Sequence, residues 1–176
     1  EHVRRRTLLC HAFSEVVVAT CDQEIFDIIR EFGGEVIMTS PDHTMASDRV
    51  AEVAHTLDCS HVVNVQGDEI LTMPEDLALM INTINNNPTI PYLSATAIIE
   101  NNEELSDPNI VKCVVTRSDK IVYCTRNISK LNFVNEFEPI RKLLGVFAYK
   151  RENLFEYGDL KRTPLEIKES IDILRI

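Results

Sequence analysis

The clearest indication of fold class and of a candidate site is the segment His61-Val62-Val63-Asn64-Val65-Gln66-Gly67-Asp68-Glu69. Its first residues are mostly apolar and β-branched and stand before a Gly-Asp turn, which predicts a strand buried in a parallel sheet. Ligands in open α/β sheets bind beyond the carboxyl ends of such strands. The polar residues at the end of this strand therefore mark a candidate binding site.

Three of these polar residues have properties that a nucleotide site needs. Gln66 offers both a donor and an acceptor, as base recognition requires. Gly67 lets the backbone turn without a Cβ clash and lets a ligand approach closely. Asp68 supplies a carboxylate, which Mg²⁺ accepts as a ligand beside phosphate and water oxygens. Taken alone, an Asp-Glu pair after a strand is more often a solvated turn, so strand chemistry leaves both interpretations open.

The elements around this strand alternate between strand and helix. Strands are predicted at 16–20, 35–39 and 61–66, and helices at 2–13, 22–32, 47–57 and 74–84, the last opened by a capping box, Thr72-Met73-Pro74-Glu75. Strands and helices joined by short connections predict a parallel α/β sheet with right-handed crossovers.

The second half of the chain has a different pattern. Strands are predicted at 92–99, 111–116, 120–124 and 143–149, a short helix near 153–157, and a further helix that Thr163-Pro164-Leu165-Glu166 opens and the chain end cuts off. The two strands around Arg117-Ser118-Asp119 form a hairpin, so the sheet is mixed, parallel early and antiparallel late. The least patterned stretch, 129–141, is interpreted as a mobile loop.

A second polar stretch runs from Asp42 to Glu52. Ser47 or Asp48 stands at a predicted helix N-terminus, where free backbone N–H groups favour anions. Arg49 in the first turn can clamp a phosphate bidentately. The simpler alternative is an N-cap followed by a surface arginine. Farther along, Lys112 lies in a strand, where a lone lysine usually points to solvent.

Composition excludes several classes of protein. The 176 residues fit one domain, and the net charge of −10 argues against a general binder of nucleic acid or anionic membranes. No apolar run approaches the roughly 18 residues of a membrane span, and no signal peptide is visible. The five cysteines form no CxxC pair, which argues against a zinc site or disulfide scaffold and favours a cytoplasmic location.

In order along the chain, several segments resemble those of the 3-deoxy-manno-octulosonate (Kdo) cytidylyltransferases, also called CMP-Kdo synthetases. The matching stretches are 17–22, 33–39, 42–52, 64–69, 107–112, 144–149 and 164–166. Asn-Val-Gln-Gly-Asp-Glu is a specific signature of that family, and Ser-Asp-Arg-Val-Ala-Glu supports it. The resemblance implies a nucleotide-diphospho-sugar transferase fold: a Rossmann-like three-layer α/β structure with a mixed, mostly parallel sheet and a β-hairpin subdomain that pairs subunits into a homodimer.

The resemblance also implies a reaction and the roles of several residues. The anomeric hydroxyl of an acid sugar attacks the α-phosphorus of CTP and pyrophosphate leaves, a step of lipopolysaccharide biosynthesis assisted by Mg²⁺. Asp68 is then the metal ligand and, with Arg49, a catalytic residue, and Gln66 meets the cytosine. Ser47, Gly67 and Arg49 belong to the nucleotide pocket. The expected partners are CTP and the sugar, without nucleic acid or membrane.

The chain departs from the family pattern at its ends and in the sugar pocket. A first strand with an Arg- and Lys-bearing phosphate loop is expected before Glu1 and a second metal carboxylate beyond Ile176, so we expect a fragment of a longer chain. The sugar pocket implied by the resemblance comprises Leu143, Phe147, Asp172, Ile173 and Lys112. The family has His and Tyr at the first two and Glu-Gln at the next two. Because these exchanges alter hydrogen-bonding groups, we expect a sugar acid other than plain Kdo, or a weak enzyme.

Two alternatives remain open. One is a related nucleotidyltransferase that uses another base or sugar, which the pocket around Gln66 would decide. The other is a truncated, non-catalytic paralogue that serves as a dimerisation or binding module.

Overall fold

The computed structural model describes residues 1–128 and 140–176, which fall into two compact units. Unit 1 comprises Glu1–Leu93 and Gly145–Leu160, and unit 2 comprises Ser94–Leu144 and Lys161–Ile176. Residues 129–139 of the loop predicted at 129–141 lie outside the described residues. Its last two residues, Ile140 and Arg141, begin a strand instead.

The helices and strands alternate as predicted through the first half of the chain. In order, they are α1 (His2–Leu8), β1 (Val17–Thr20), α2 (Gln23–Glu31), β2 (Glu35–Met38), α3 (Ala46–Ala54), β3 (His61–Val65), α4 (Pro74–Asn86), β4 (Tyr92–Ile98), α5 (Asn102–Ser106), β5 (Lys112–Val115), β6 (Ile121–Thr125), β7 (Ile140–Lys150), α6 (Arg151–Asp159), α7 (Pro164–Glu169) and a 3₁₀ helix (Asp172–Arg175).

The first two strands of unit 1 form the predicted β-α-β arrangement. β1 and β2 pair in parallel, with Val17 opposite Glu35. Asp22 caps the helix between them by accepting the Ile25 N–H at 3.1 Å. The chain leaves that helix through Gly33, whose φ of 68° is a left-handed conformation that glycine adopts easily.

The third strand of unit 1 pairs differently. β3 lies antiparallel to the last residues of β7, with Val65 opposite Val146. α3 packs against β1, β3 and α6, and the core of the unit includes the buried Ile29, Ala54, Leu77 and Leu154. The capping box predicted at Thr72 is wrong, because its hydroxyl donates to the Glu69 carbonyl at 2.9 Å and Met73 stands at the cap position.

Unit 2 contains the predicted hairpin. β5 and β6 pair antiparallel around Asp119, and β5 also pairs with the first residues of β7. Two apolar clusters form its core: Ile99, Ile128 and Ile140 in one, and Cys113, Cys124 and Ile171 in the other. Cys113 and Cys124 face each other across the hairpin and are buried, whereas Cys21 in unit 1 is exposed.

The α/β class is confirmed, with differences in detail. Among the pairings whose register is described, only β1–β2 is parallel, so the parallel part is smaller than predicted. α1 ends at Leu8 rather than Phe13, because Leu8 and Leu9 are exposed and give no apolar face to extend it. α7 ends at the left-handed Ser170, not at the chain end. Within the described ranges, no helix is long and apolar enough to cross a bilayer.

Candidate functional site

Unit 1 contains a cavity of about 950 Å³ into which the carboxyl end of β3 opens. β1, β3 and parts of α1 and α3 line it. Arg49, Gln66, Gly67 and Asp68 stand among the lining residues, so the structure brings four residues of the predicted nucleotide site to one cavity. Ser47, the fifth, does not line it.

The turn that carries Asp68 is held by hydrogen bonds. The Glu69 N–H donates to the Gln66 carbonyl at 3.0 Å, and the Ile70 N–H to the Asp68 carbonyl at 2.8 Å. Asp68 itself is exposed, whereas Gln66 and Glu69 are half-buried. The described contacts thus fix the backbone around Asp68 while its side chain stays accessible.

The glycine that the local geometry requires is Gly145 rather than Gly67. Gly67 has no positive φ, and a Cβ there would meet nothing within 4 Å, so the predicted need for a glycine to turn the backbone is wrong. A Cβ on Gly145 would lie 2.8 Å from Gln66 Oε1 and 3.0 Å from Glu69 Oε1. Sequence reasoning missed this role, although a glycine that interrupts an apolar strand is a signal of close approach.

Arg49 is tied to the loop that follows β2. Its Nη1 donates to Thr39 Oγ1 and, at 3.2 Å, to the Ser40 carbonyl. One turn later on α3, Glu52 accepts the Ser40 N–H at 3.0 Å and pairs with His43. The Ser40 hydrogen bond, followed by that of His43, lowers the pKa of Glu52. Arg49 and Glu52 together hold this loop beside the cavity.

Ser47 takes a different position from the one predicted for a phosphate contact. It lies in the first turn of α3, as expected, but Met45 occupies the cap position. Ser47 is fully buried, and its hydroxyl shares a hydrogen bond of 2.9 Å with the Tyr149 hydroxyl. The side chain therefore contributes to the core of unit 1, and a role in nucleotide binding stays a prediction.

The predicted sugar-pocket residues are largely buried. Leu143 and Ile173 pack against the cluster of Cys113, Cys124 and Ile171 in unit 2. Asp172 is buried in unit 2, and Phe147 is buried in unit 1, opposite Asn64. Their contact with a sugar stays a prediction. In the structure these side chains contribute to packing within their own units.

Lys112 corrects the expectation that a lone strand lysine points to solvent. It is fully buried in unit 2, and its Nζ donates to the carbonyls of Asp107, Ile110 and Arg126, the last two at 2.9 Å. Burial lowers the pKa of this amine. The three carbonyls compensate the buried lysine, which makes it a structural residue irrespective of any sugar contact.

The described residues give two further observations on ligands. Among the described residues, His61 Nε2 and Asn64 Nδ2 are buried and have no hydrogen-bond partner. Both residues line the cavity. Within 1–128 and 140–176, no three His, Cys, Asp or Glu side chains cluster as metal ligands. Three carboxylates line the cavity, those of Glu15, Asp58 and Asp68, but within the described residues Asp68 belongs to no such cluster.

Known proteins resemble this chain over nearly its whole length. A family model described as "Cytidylyltransferase" matches residues 1–176. The 3-deoxy-manno-octulosonate cytidylyltransferase of Fusobacterium nucleatum is 34% identical over 92% of this chain and 66% of its own length. That of Escherichia coli is 32% identical over 100% of this chain and 71% of its own. The chain thus spans 66% and 71% of the length of these two relatives.

A comparison with solved structures points to the same family as the sequence comparisons. A CMP:2-keto-3-deoxy-manno-octonic acid synthetase complexed with CTP superposes with a TM-score of 0.88 at 31% identity, over 99% of this chain and 72% of that one. The predicted resemblance, the nucleotide-sugar transferase fold and the nucleotidyltransferase class of enzyme are confirmed. The chain belongs to the cytidylyltransferase family.

Proposed function

We propose that the protein containing this chain couples CTP to Kdo or a closely related acid sugar, giving a CMP-sugar and pyrophosphate. The observation that carries the proposal is the convergence of Arg49, Gln66, Gly67 and Asp68 on one cavity at the end of β3. Relatives that match 92% and 100% of this chain are named 3-deoxy-manno-octulosonate cytidylyltransferases.

The reaction is a nucleotidyl transfer. The anomeric hydroxyl oxygen of the sugar bonds to the α-phosphorus, the bond from that phosphorus to the bridging oxygen of pyrophosphate breaks, and the hydroxyl proton is lost to solvent. Little covalent chemistry falls to the protein, so positioning and electrostatics dominate catalysis. Gln66 presents its amide to the cytosine. Arg49 uses Nη1 to hold the loop after β2 and offers its other N–H groups to a phosphate.

The residues at the cavity fit a Mg²⁺ ion. Mg²⁺ takes one or two carboxylates and completes its octahedron with water and phosphate oxygens. Asp68 is exposed at the cavity and is available as such a ligand, whereas the Glu69 carboxylate accepts the Gly145 N–H. When bound, the ion neutralises charge that develops on the triphosphate. Asp68 would hold the ion, and Arg49 would balance part of the negative charge of the phosphates.

The remaining assignments belong to the same proposal. Residues 1–176 form part of one nucleotidyltransferase domain, and the β5–β6 hairpin pairs two subunits into a homodimer. The five cysteines are free thiols, which fits a reducing cytoplasm. Leu143, Phe147 and Ile173 favour a sugar acid that depends less on hydrogen bonds at these positions than Kdo does.

Pyrophosphate release by the full-length protein tests the proposal. Each of the four nucleoside triphosphates is offered with Kdo and with a panel of other sugar acids, with and without Mg²⁺. We expect turnover with CTP, a requirement for Mg²⁺, and the highest kcat/KM for a Kdo-type acid. Preference for another triphosphate would contradict the cytosine assignment, and no turnover with any pair would favour the non-catalytic paralogue.

A further inference from the structure

The pairing of β3 with β7 ends at Gly145 with one backbone hydrogen bond and one side-chain hydrogen bond. Val65 and Val146 are the last described pair of β3 and β7, which places Gln66 opposite Gly145. The Gln66 N–H donates to the Gly145 carbonyl at 2.8 Å, as in a regular antiparallel pair. The return bond of a regular pair would run from the Gly145 N–H to the Gln66 carbonyl.

A side chain supplies that return bond instead. The Gln66 carbonyl accepts the Glu69 N–H at 3.0 Å, because the chain turns there. The Glu69 carboxylate accepts the Gly145 N–H. Glu69 therefore closes the ladder at the point where the backbone leaves it, and it satisfies a backbone donor that the turn would otherwise leave without a partner.

Gly145 makes room for this arrangement. A Cβ there would lie 2.8 Å from Gln66 Oε1 and 3.0 Å from Glu69 Oε1, so both side chains rest against the bare backbone of Gly145. On the other side of the turn, Thr72 fixes the Glu69 carbonyl by its N–H and its hydroxyl. The peptide that carries Asp68 is thus held between β7 and the start of α4.

We infer that Glu69 and Gly145 are positioning residues for the Asp68 carboxylate, and that Glu69 binds the Gly145 N–H rather than the metal. The inference rests on the proposed function, in which Asp68 holds Mg²⁺. Asp68 lies between Gly67, whose surroundings are open, and Glu69, whose side chain is anchored. The Glu69 contact therefore limits where the Asp68 carboxylate can point.

The first experiment compares Glu69→Ala with Glu69→Gln in the full-length protein, with Glu75→Gln, an exposed glutamate nearby, as the control. The glutamine amide oxygen still accepts the Gly145 N–H. Loss of a group that orients a metal ligand typically costs about 10- to 100-fold in metal affinity or activity. We expect Glu69→Ala to raise the half-saturating Mg²⁺ concentration and lower kcat in that range, and Glu69→Gln and Glu75→Gln to stay within about threefold of wild type.

Hydrogen exchange at the Gly145 amide separates this inference from the proposed function, because it needs no turnover. We expect faster exchange in Glu69→Ala and near-normal exchange in Glu69→Gln. Unchanged exchange in Glu69→Ala would overturn the contact. Equal loss of Mg²⁺ affinity in Glu69→Gln and Glu69→Ala would make Glu69 a metal ligand, and lost stability at unchanged Mg²⁺ dependence and kcat would make it merely structural; both results would overturn the inference.

A double-mutant cycle tests Gly145. Gly145→Ala adds a methyl group that pushes against Gln66 and Glu69, so we expect it to raise the half-saturating Mg²⁺ concentration. In a Glu69→Ala background part of that obstruction is gone, and the added effect of Gly145→Ala should be smaller. Independent, additive effects would contradict the coupling of the two residues.

Discussion

Several polar residues of unit 1 line a cavity, whereas two cations of unit 2 donate to backbone carbonyls. In unit 1, Arg49, Gln66 and Asp68 line a cavity. In unit 2, Lys112 and Arg126 are occupied by backbone carbonyls. A charged residue in a family motif is therefore a stronger site candidate when it lines a cavity than when backbone carbonyls surround it.

Unit 2 also contains a buried ionic group. Glu166 is fully buried, with Arg175 at 2.6 Å and Arg162 at 3.1 Å from its carboxylate. Burial raises the pKa of Glu166, but the hydrogen bonds and charges of Arg175 and Arg162 outweigh it, so the pKa lies below its ordinary value. These side chains join α7 to the 3₁₀ helix. We therefore expect substitutions in unit 2 to change stability and those at the cavity to change activity.

The largest expected effect is on stability, from Arg175→Met. This change leaves the buried Glu166 carboxylate with only the partly exposed Arg162 of the two arginines. Breaking a buried ion pair on one side costs about 3–5 kcal/mol of unfolding free energy. Urea unfolding measures it, with Lys168→Met, another cation of this region, as the control. A loss below about 1 kcal/mol would show that the buried pair contributes little.

The next effect is on activity, from Asp68→Ala and the isosteric Asp68→Asn. Removing one electrostatic group that stabilises the transition state costs about 10²- to 10³-fold in kcat. Because Asp68 is exposed, we expect the midpoint of thermal unfolding to stay unchanged. Pyrophosphate release and a thermal melt of the same preparations measure both quantities. Substantial residual activity in either variant would contradict the metal role.

Lys112→Met distinguishes a structural role from a substrate contact, because the family resemblance assigns this residue to the sugar pocket. The change leaves three partly buried carbonyls without their lysine donor, and one unsatisfied buried group costs about 1–3 kcal/mol. We expect the unfolding free energy to fall by at least that amount. A higher KM for the sugar at unchanged stability would instead identify a substrate contact.

The smallest effect is the contribution of Glu52 to the pH dependence of the unfolding free energy. Its pKa in the folded protein lies below the ordinary value of 4.5, so protons bind the unfolded chain first. The stabilisation is complete above about pH 4.5 and is lost as the pH falls through the folded pKa. We expect the stability difference between wild type and Glu52→Gln to shrink below pH 4.5. A difference that stays constant from neutral to strongly acidic pH would contradict this.

Local patterns predicted the parts of the molecule that local physics determines. The β3 strand, the Asp22 cap and the β5–β6 hairpin follow from residues close in sequence. The predictions that were wrong concern residues whose hydrogen-bond partners include residues far away in the sequence. Ser47 is buried because Tyr149 bonds its hydroxyl, and Lys112 is buried because carbonyls from 107, 110 and 126 surround its amine.

The candidate site divides in the same way. Asp68 and Gln66 could be predicted because they follow an apolar strand, whereas Gly145 acts from 76 residues beyond Glu69. No periodicity in the sequence connects those two positions. The sequence likewise indicates no role for Glu52, because its partners Ser40 and His43 are set by how the loop folds back on α3.

The uneven burial of the thiols gives the protein a ready-made labelling site. Cys21 is exposed directly after β1, whose residues line the cavity, whereas Cys10, Cys113 and Cys124 are buried. Burial also raises the pKa of Cys59, which slows its reaction with alkylating reagents. Among the cysteines of residues 1–176, a maleimide fluorophore will therefore attach first at Cys21, directly after a strand that lines the cavity. The buried thiols of the hairpin will react only when unit 2 opens, so their later reaction with the same reagent measures the rate of that opening.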